Sequence, residues 1–225
     1  MTVLLQVDAG QLEAAAKDIG VGAAAIQRTL YRAINSVAAK AMTRTRREIV
    51  SQVNLKPAYV RERIALRKAG KDELTAVVAA RQRATRLATY GAIQRVKAVK
   101  PPKSLSPEAR AKYMAKLKGD KLRGIAPGKK QAGIAVSVKR GGGRKLMSGG
   151  FMIPLRAGKV AGAANGLGVF LRTGPGRKDI SHRYGPSVDQ VMKGVIKDIS
   201  PDVSAELEDA IRRQAGYEFE RALKK

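Results

Sequence analysis

Apolar side chains recur at Ile26, Leu30, Ile34, Val37 and Ala41, three and four residues apart. That spacing puts them on one stripe of a single helix and predicts α-structure from Ala23 to about Val53. At 1.5 Å per residue such a helix is roughly 45 Å long, so the rest of the chain must supply a long apolar surface to cover it. Arg28, Arg32, Lys40, Arg44 and Arg47 fall largely on the other side. Arg44, Arg46 and Arg47 crowd the C-terminal end, where the helix dipole favours positive charge. Asn54-Leu55-Lys56-Pro57 ends the helix, because the residue before a proline is pushed out of the helical basin. Pro57 opens a second predicted helix through Tyr59, Val60, Ile64 and Leu66 to Gly70.

Strand patterns follow. Leu74 to Ala80 reads as a short strand, and residues 81–99 alternate basic and apolar loosely, part of them as strand. Ile134, Val136 and Val138 alternate as a half-buried strand does. Gly141-Gly142-Gly143 turns the chain, Leu146 to Pro154 returns as a second strand, and Gly166 to Arg172 is a third. Tyr184-Gly185-Pro186-Ser187 caps a helix through Val191 and Val195. Ser200-Pro201-Asp202 reads as the start of a further helix, amphipathic through Val203, Leu207, Ile211, Ala215 and Phe219. The segregated order predicts an α+β fold: a long N-terminal helix pair, a small antiparallel sheet and C-terminal helices, in one domain over residues 1–225. Residues 100–132 interrupt it as a basic excursion bounded by Pro101-Pro102 and Pro127-Gly128. Within the excursion, Ser106-Pro107-Glu108 starts a short helix to about Leu117.

Charge points to a partner. The chain holds 45 Lys and Arg against 18 Asp and Glu, a net +27. Residues 81–145 alone carry 19 basic and 2 acidic groups. That surplus exceeds what solubility requires and suits phosphate contacts, which supply affinity without sequence choice and weaken steeply with salt. The candidate contacts to DNA or another anionic partner are Arg44, Arg46, Arg47, Arg81, Arg83, Arg86, Lys129, Lys130, Arg144 and Lys145.

Catalytic constellations are not legible. The chain has no Cys, hence no thiol nucleophile and no Cys-based metal site, and His182 is its sole histidine. His182 reads as part of a hydrogen-bonded turn over Lys178 to Arg183, without the oriented base and nucleophile that catalysis needs. Gly141–Gly143 before Arg144-Lys145 departs from the phosphate-cradling loop form and reads as a hairpin turn. Glu206, Glu208 and Asp209 read as a solvated face of the last helix that also suits the basic segment of a neighbouring copy. No catalytic residue, metal ligand or cofactor site is assigned. No apolar run reaches the roughly 20 residues a membrane crossing takes, and Met1 to Gly10 lacks the basic lead of a secretory signal. A soluble chain made in a reducing cytoplasm is expected.

Five stretches occur in a characteristic order. They are Asn54-Leu55-Lys56-Pro57-Ala58-Tyr59-Val60-Arg61-Glu62-Arg63 after the Arg-rich helix with Ala33-Ile34-Asn35, then Ala80 to Leu87, Gly149 to Ile153, Gly168 to Gly174, and Tyr184-Gly185-Pro186-Ser187-Val188. Together they resemble the phage minor tail protein Z family, the tail-completion proteins of lambdoid and related long-tailed phages. Asn54, Leu55, Lys56, Tyr59, Tyr184, Gly185, Pro186 and Ser187 carry most of the likeness; the 100–132 excursion is not part of it. The resemblance implies a structural virion protein, not an enzyme, at the head-proximal end of the tail beside the tail terminator and neck proteins. It implies a role in completing the tail for head joining, as a homo-oligomer in a ring of about six. Such a ring would carry roughly +160 beside double-stranded viral DNA. Glycine-rich turns at 141–143, 149–150 and 162–168 would let loops reorder as a partner docks. Two other readings fit the charge: a free, non-specific nucleic-acid-binding protein, and an assembly protein whose basic surface meets acidic tail proteins only.

Overall fold

The computed structural model describes residues 2–6, 23–119, 124–155, 166–176 and 178–223. The predicted turn segment at 162–165 lies outside the described residues, as does the side chain of Phe219. The architecture is α+β, with two long helices, short helical segments and three small antiparallel sheets. The residues group into two compact units, one from segments 1–52, 56–83 and 186–225, the other from 53–55 and 84–185.

In the first unit, helix α1 (Ala23–Gln52) forms where the apolar stripe predicts it. Leu30, Ile34, Val37 and Ile49 are buried along it. Helix α4 (Val188–Leu223) packs beside α1 and buries Val188, Met192, Val195, Val203 and Leu207. Its start is a reciprocal cap: Gln190 N donates to Ser187 Oγ at 3.0 Å, and Ser187 N donates to Gln190 Oε1 at 2.8 Å. Each side chain satisfies a backbone donor that the first helical turn would leave orphaned. A sheet of order β1-β3-β2 completes the unit, with β1 (Thr2–Gln6), β2 (Ile64–Arg67) and β3 (Thr75–Ala80). Asn35 of α1 anchors the loop after β2. Its Oδ1 accepts from Ala69 N at 2.8 Å while its Nδ2 donates to Ala69 O at 2.9 Å.

Two sequence expectations fail here, and one strand goes unanticipated. The helix predicted from Pro57 to Gly70 is only α2 (Pro57–Arg61), followed by strand β2. Val60 and Ile64 fit a helical stripe, but Leu66, two residues after Ile64, fits only the strand period, and pairing of Ile64–Arg67 with Val77–Ala80 forms the strand. Arg46 fixes the junction by donating to the Arg61 carbonyl at 3.3 Å and the Ile64 carbonyl at 2.9 Å. Strand β1 is not anticipated by any sequence pattern. Lastly, Ser200-Pro201-Asp202 starts no helix, because α4 runs through it with Pro201 inside. Buried Val195, Ile199, Val203 and Leu207 continue across the proline, and their packing outweighs one missing N–H. Since an interior proline costs a helix up to about 3 kcal/mol, Pro201→Ala is expected to stabilise the protein by about 1–3 kcal/mol, read as a higher urea midpoint.

The second unit holds two sheets. One has the order β4-β10-β9-β8, from β4 (Thr85–Arg86), β8 (Gly150–Pro154), β9 (Leu167–Arg172) and β10 (Ile180–Gly185). The other is β5-β6-β7, from β5 (Ile93–Ala98), β6 (Lys129–Val136) and β7 (Lys145–Ser148). The glycine turn at 141–143 joins β6 to β7, with Gly141 and Gly143 at positive φ. The single return strand expected from Leu146 to Pro154 is instead β7 and β8, in different sheets. Gly149, at φ 70°, lets the chain change partners there.

Tyr90 lies at the centre of this unit, fully buried at the end of a short 3-10 helix (Leu87–Tyr90). Asn54 clamps it in place, with Nδ2 donating to the Tyr90 carbonyl at 3.1 Å and the Ser137 carbonyl at 3.2 Å. Leu55 beside it is buried. Gly185 lies against the ring, since a Cβ there would come within 2.5 Å of Tyr90 Cε2.

Candidate nucleic-acid interface

The β5–β6–β7 sheet shows one face whose charges its own fold does not answer. Its register sets Ile93 opposite Ala135 and Ala135 opposite Leu146; further along, Arg95 faces Gly133, and Lys97 faces Lys130. Directly opposed residues share a face, and alternate positions on β5 stay on it. Ile93, Arg95, Lys97, Lys130 and Leu146 therefore line one exposed surface. Arg95, Lys97 and Lys130 make no ion pair among the described residues. Like charges directly across a ladder destabilise it, so the Lys97–Lys130 pair works against the sheet that holds it.

Past Ala98, which pairs with Lys129, the chain leaves the ladder into the basic excursion and returns at β6. Val99 N donates to the Gly128 carbonyl at 2.9 Å and narrows the neck. Helix α3 (Pro107–Lys116) starts as predicted, with Ser106 Oγ accepting from Ala109 N at 3.3 Å. It buries no residue; Arg110, Lys112 and Lys116 are all exposed. Residues 97–130 hold 11 basic and 2 acidic side chains, a net +9.

The other candidates are placed differently. Lys129 sits at the start of β6, exposed, next to Lys130. Lys145 pairs with Val136, which puts it on the opposite face of the same sheet. Arg144 donates to the Gly91 carbonyl at 2.6 Å. In the first unit, Arg44 is held by Asp202 at 2.6 Å and Glu206 at 3.8 Å. Glu206 thus reaches toward Arg44 of α1 while its side chain stays 43% exposed, on the solvated side of the helix. Arg46 binds the carbonyls at the α2–β2 junction, and Arg47 lines a groove of about 410 Å³ with Val50, Pro57, Ala58 and Arg61. Arg81 and Arg83 are exposed beyond β3, and Arg86 lies on β4 across from Tyr184. Of the ten candidates, only Lys130 lies on this face; Lys129, paired with Ala98, points to the other side of the sheet, and Arg95 and Lys97 are not among the ten. Only the strand register brings Lys97 to Lys130; the loose alternation of residues 81–99 defines no face.

His182 is not in a turn. It lies on β10, its ring 4.5 Å from Phe170 and 4.4 Å from Tyr184, with Phe151 stacked beyond Phe170 at 6.2 Å. Tyr184 Oη lies 2.9 Å from His182 Nδ1. His182 Nε2 is buried without a hydrogen-bond partner among the described residues. Burial first, and the charge of Arg86 second, hold the imidazole below its ordinary pKa of 6.5. The native state therefore keeps it neutral while the unfolded chain takes a proton. Its contribution is complete above pH 6.5, falls as pH drops from 6.5 toward the depressed native value, and levels off below it. Urea midpoints measured from about pH 8 to about pH 5 should fall in that window, and the His182→Phe variant should lose that part of the slope.

Among the described residues no group of His, Asp and Glu is placed to hold a metal ion, and no helix is long and apolar enough to cross a membrane. A family model described as prophage minor tail protein Z (GPZ) matches residues 11–225. No curated protein and no solved structure matches the chain.

Proposed function

The chain belongs to the prophage minor tail protein Z family, and from that premise we propose that it completes the head-proximal end of a phage tail while its basic excursion contacts the viral DNA. Membership gives it a structural role in the tail and a place in the virion. The finer reading has it act beside the terminator and neck proteins, prepare the tail for head joining, and assemble as a ring of about six copies around the DNA path. It uses no catalytic step.

One observation carries the DNA contact. Lys97 and Lys130 face each other across a ladder, on an exposed surface at the neck of a segment, residues 98–129, of net charge +7. An unneutralised, mutually repelling pair on the surface supports this reading, because an anion supplied from outside would relieve the repulsion. Duplex DNA offers one charge per about 1.7 Å of axis, and an excursion without buried side chains in its helix follows a phosphate backbone without reading bases.

A second reading is favoured by Ile93 and Leu146, which are 43% and 59% exposed on the same face. Apolar groups of that size suit a protein partner, such as an acidic tail component. Purified chain titrated with mixed-sequence duplex DNA and with terminator rings, each across a salt series, separates the readings. DNA binding that is indifferent to sequence and falls steeply with salt is the expected result. Binding to terminator rings alone would leave the DNA contact without support.

A further inference from the structure

Helix α4 is the one described element with net negative charge, holding 8 acidic and 5 basic residues. Its acids concentrate between Asp198 and Asp209, an interval with no Lys or Arg. Asp202 and Glu206 answer Arg44. Asp198, Glu208 and Asp209 are exposed and make no ion pair among the described residues. In a chain of net +27, acids left uncompensated on one helix face are available to an outside cation. Pro201, Ser204 and Ala205, exposed or partly exposed between them, are small enough for the helix to approach a flat surface closely.

The matching surface is the far end of the β5–β6–β7 face. There Ile93, Ala135 and Leu146 form an apolar row across three strands, with Arg95 next on the same face. Phosphate backbones gain nothing from that apolar row, whereas an acidic helix with small side chains buries it and meets the neighbouring cation.

We propose that residues 198–209 of one copy dock on the Ile93–Ala135–Leu146 end of the sheet of the next copy. The two surfaces differ, so the contact is heterologous, the kind that builds a ring when its rotation closes. This rests on the ring reading above and names its interface. Lys97, Lys130 and the excursion remain free for DNA.

The test uses the full chain and two variants that each lose one surface. Ile93→Asp with Leu146→Asp removes the sheet surface; Glu208→Lys with Asp209→Lys removes the helix surface. All four positions are exposed, and circular dichroism checks that the variants fold. Sedimentation velocity should show wild-type oligomers and monomers of each variant, with association weakened at least about tenfold. An equimolar mixture of the two variants should give dimers and nothing larger, because each retains the surface its partner lacks. The exposed charge swap Arg95→Glu with Asp209→Lys should recover part of the assembly that either single change loses. Wild-type assembly in the helix variant, or no dimer in the mixture, overturns this interface. If both variants still form wild-type oligomers, the ring reading survives and the interface alone fails. A wild-type chain that stays monomeric overturns both, while the salt dependence of DNA binding still tests the DNA contact independently.

Discussion

Lys97→Glu should raise the stability of the protein and lower its affinity for DNA. The substitution converts a repelling cross-strand pair into an attracting one opposite Lys130, worth roughly 0.5–1 kcal/mol of added stability. It also removes a cation from the surface that meets phosphate and adds an anion. Lys97→Ala with Lys130→Ala relieves the repulsion too, and deletes both cations. Affinity for mixed-sequence duplex should drop roughly tenfold or more at low salt. The slope of log K against log salt should become shallower by about 0.9 for each phosphate no longer neutralised. Opposite signs in the two readouts are the point. A surface pair kept only for folding would lose nothing in DNA binding, and a generally damaged fold would lose stability.

Gly185→Ala should destabilise the protein by about 1–3 kcal/mol. The new Cβ would lie 2.5 Å from Tyr90 Cε2. The ring cannot retreat, because it is fully buried and its backbone carbonyl is held by Asn54. Gly194→Ala in α4 is the control: nothing lies within 4 Å of its Cβ position, and a glycine inside a helix costs about 0.5–1 kcal/mol relative to alanine. Urea midpoints should therefore move in opposite directions for the two substitutions. Equal shifts would mean that the Tyr90 contact yields easily.

These residues also explain the family motifs in physical terms. Asn54, Leu55 and Gly185 secure the core around Tyr90, and Ser187 caps α4. Tyr59 stacks under the Arg63 guanidinium, 3.4 Å from its ring centroid. Their contacts in the described fold are structural. Tyr184, 52% exposed at the end of the aromatic row, is the exception.

Helix α1 is legible because its apolar period persists over many turns, and strand β9 because a short apolar run follows glycine. Strand β6 is legible only at Ile134–Val136, since it starts at Lys129 within the expected excursion, ends before Val138 and buries Gly133 to Val136 without alternation. Strand β2 is not legible, since the two apolar residues Ile64 and Leu66 are too few to mark a strand without its partner β3. The Ser200-Pro201-Asp202 start signal is real chemistry overruled by packing: Ile199, Val203 and Leu207 stay buried through it. Strand β1 rests on five residues, Thr2–Gln6, whose Val3-Leu4-Leu5 run is too short to read without its partner β3. The basic surface is legible as a charge excess along residues 81–145 but not as a site. Arg46 and Arg144 spend their donors on backbone carbonyls, whereas Lys97 and Lys130 gain their meaning from a cross-strand register that spans the excursion.

On this reading the β5–β6 excursion faces the DNA path in the assembled tail. An averaged image of the upper tail of DNA-filled particles, at a resolution that traces this chain, tests it most directly. Lys97, Lys130 and the cations of α3 should line the passage, within about a Debye length, 8–10 Å, of the DNA density. A passage lined by acidic or uncharged groups of this chain, with the excursion turned outward, would contradict it.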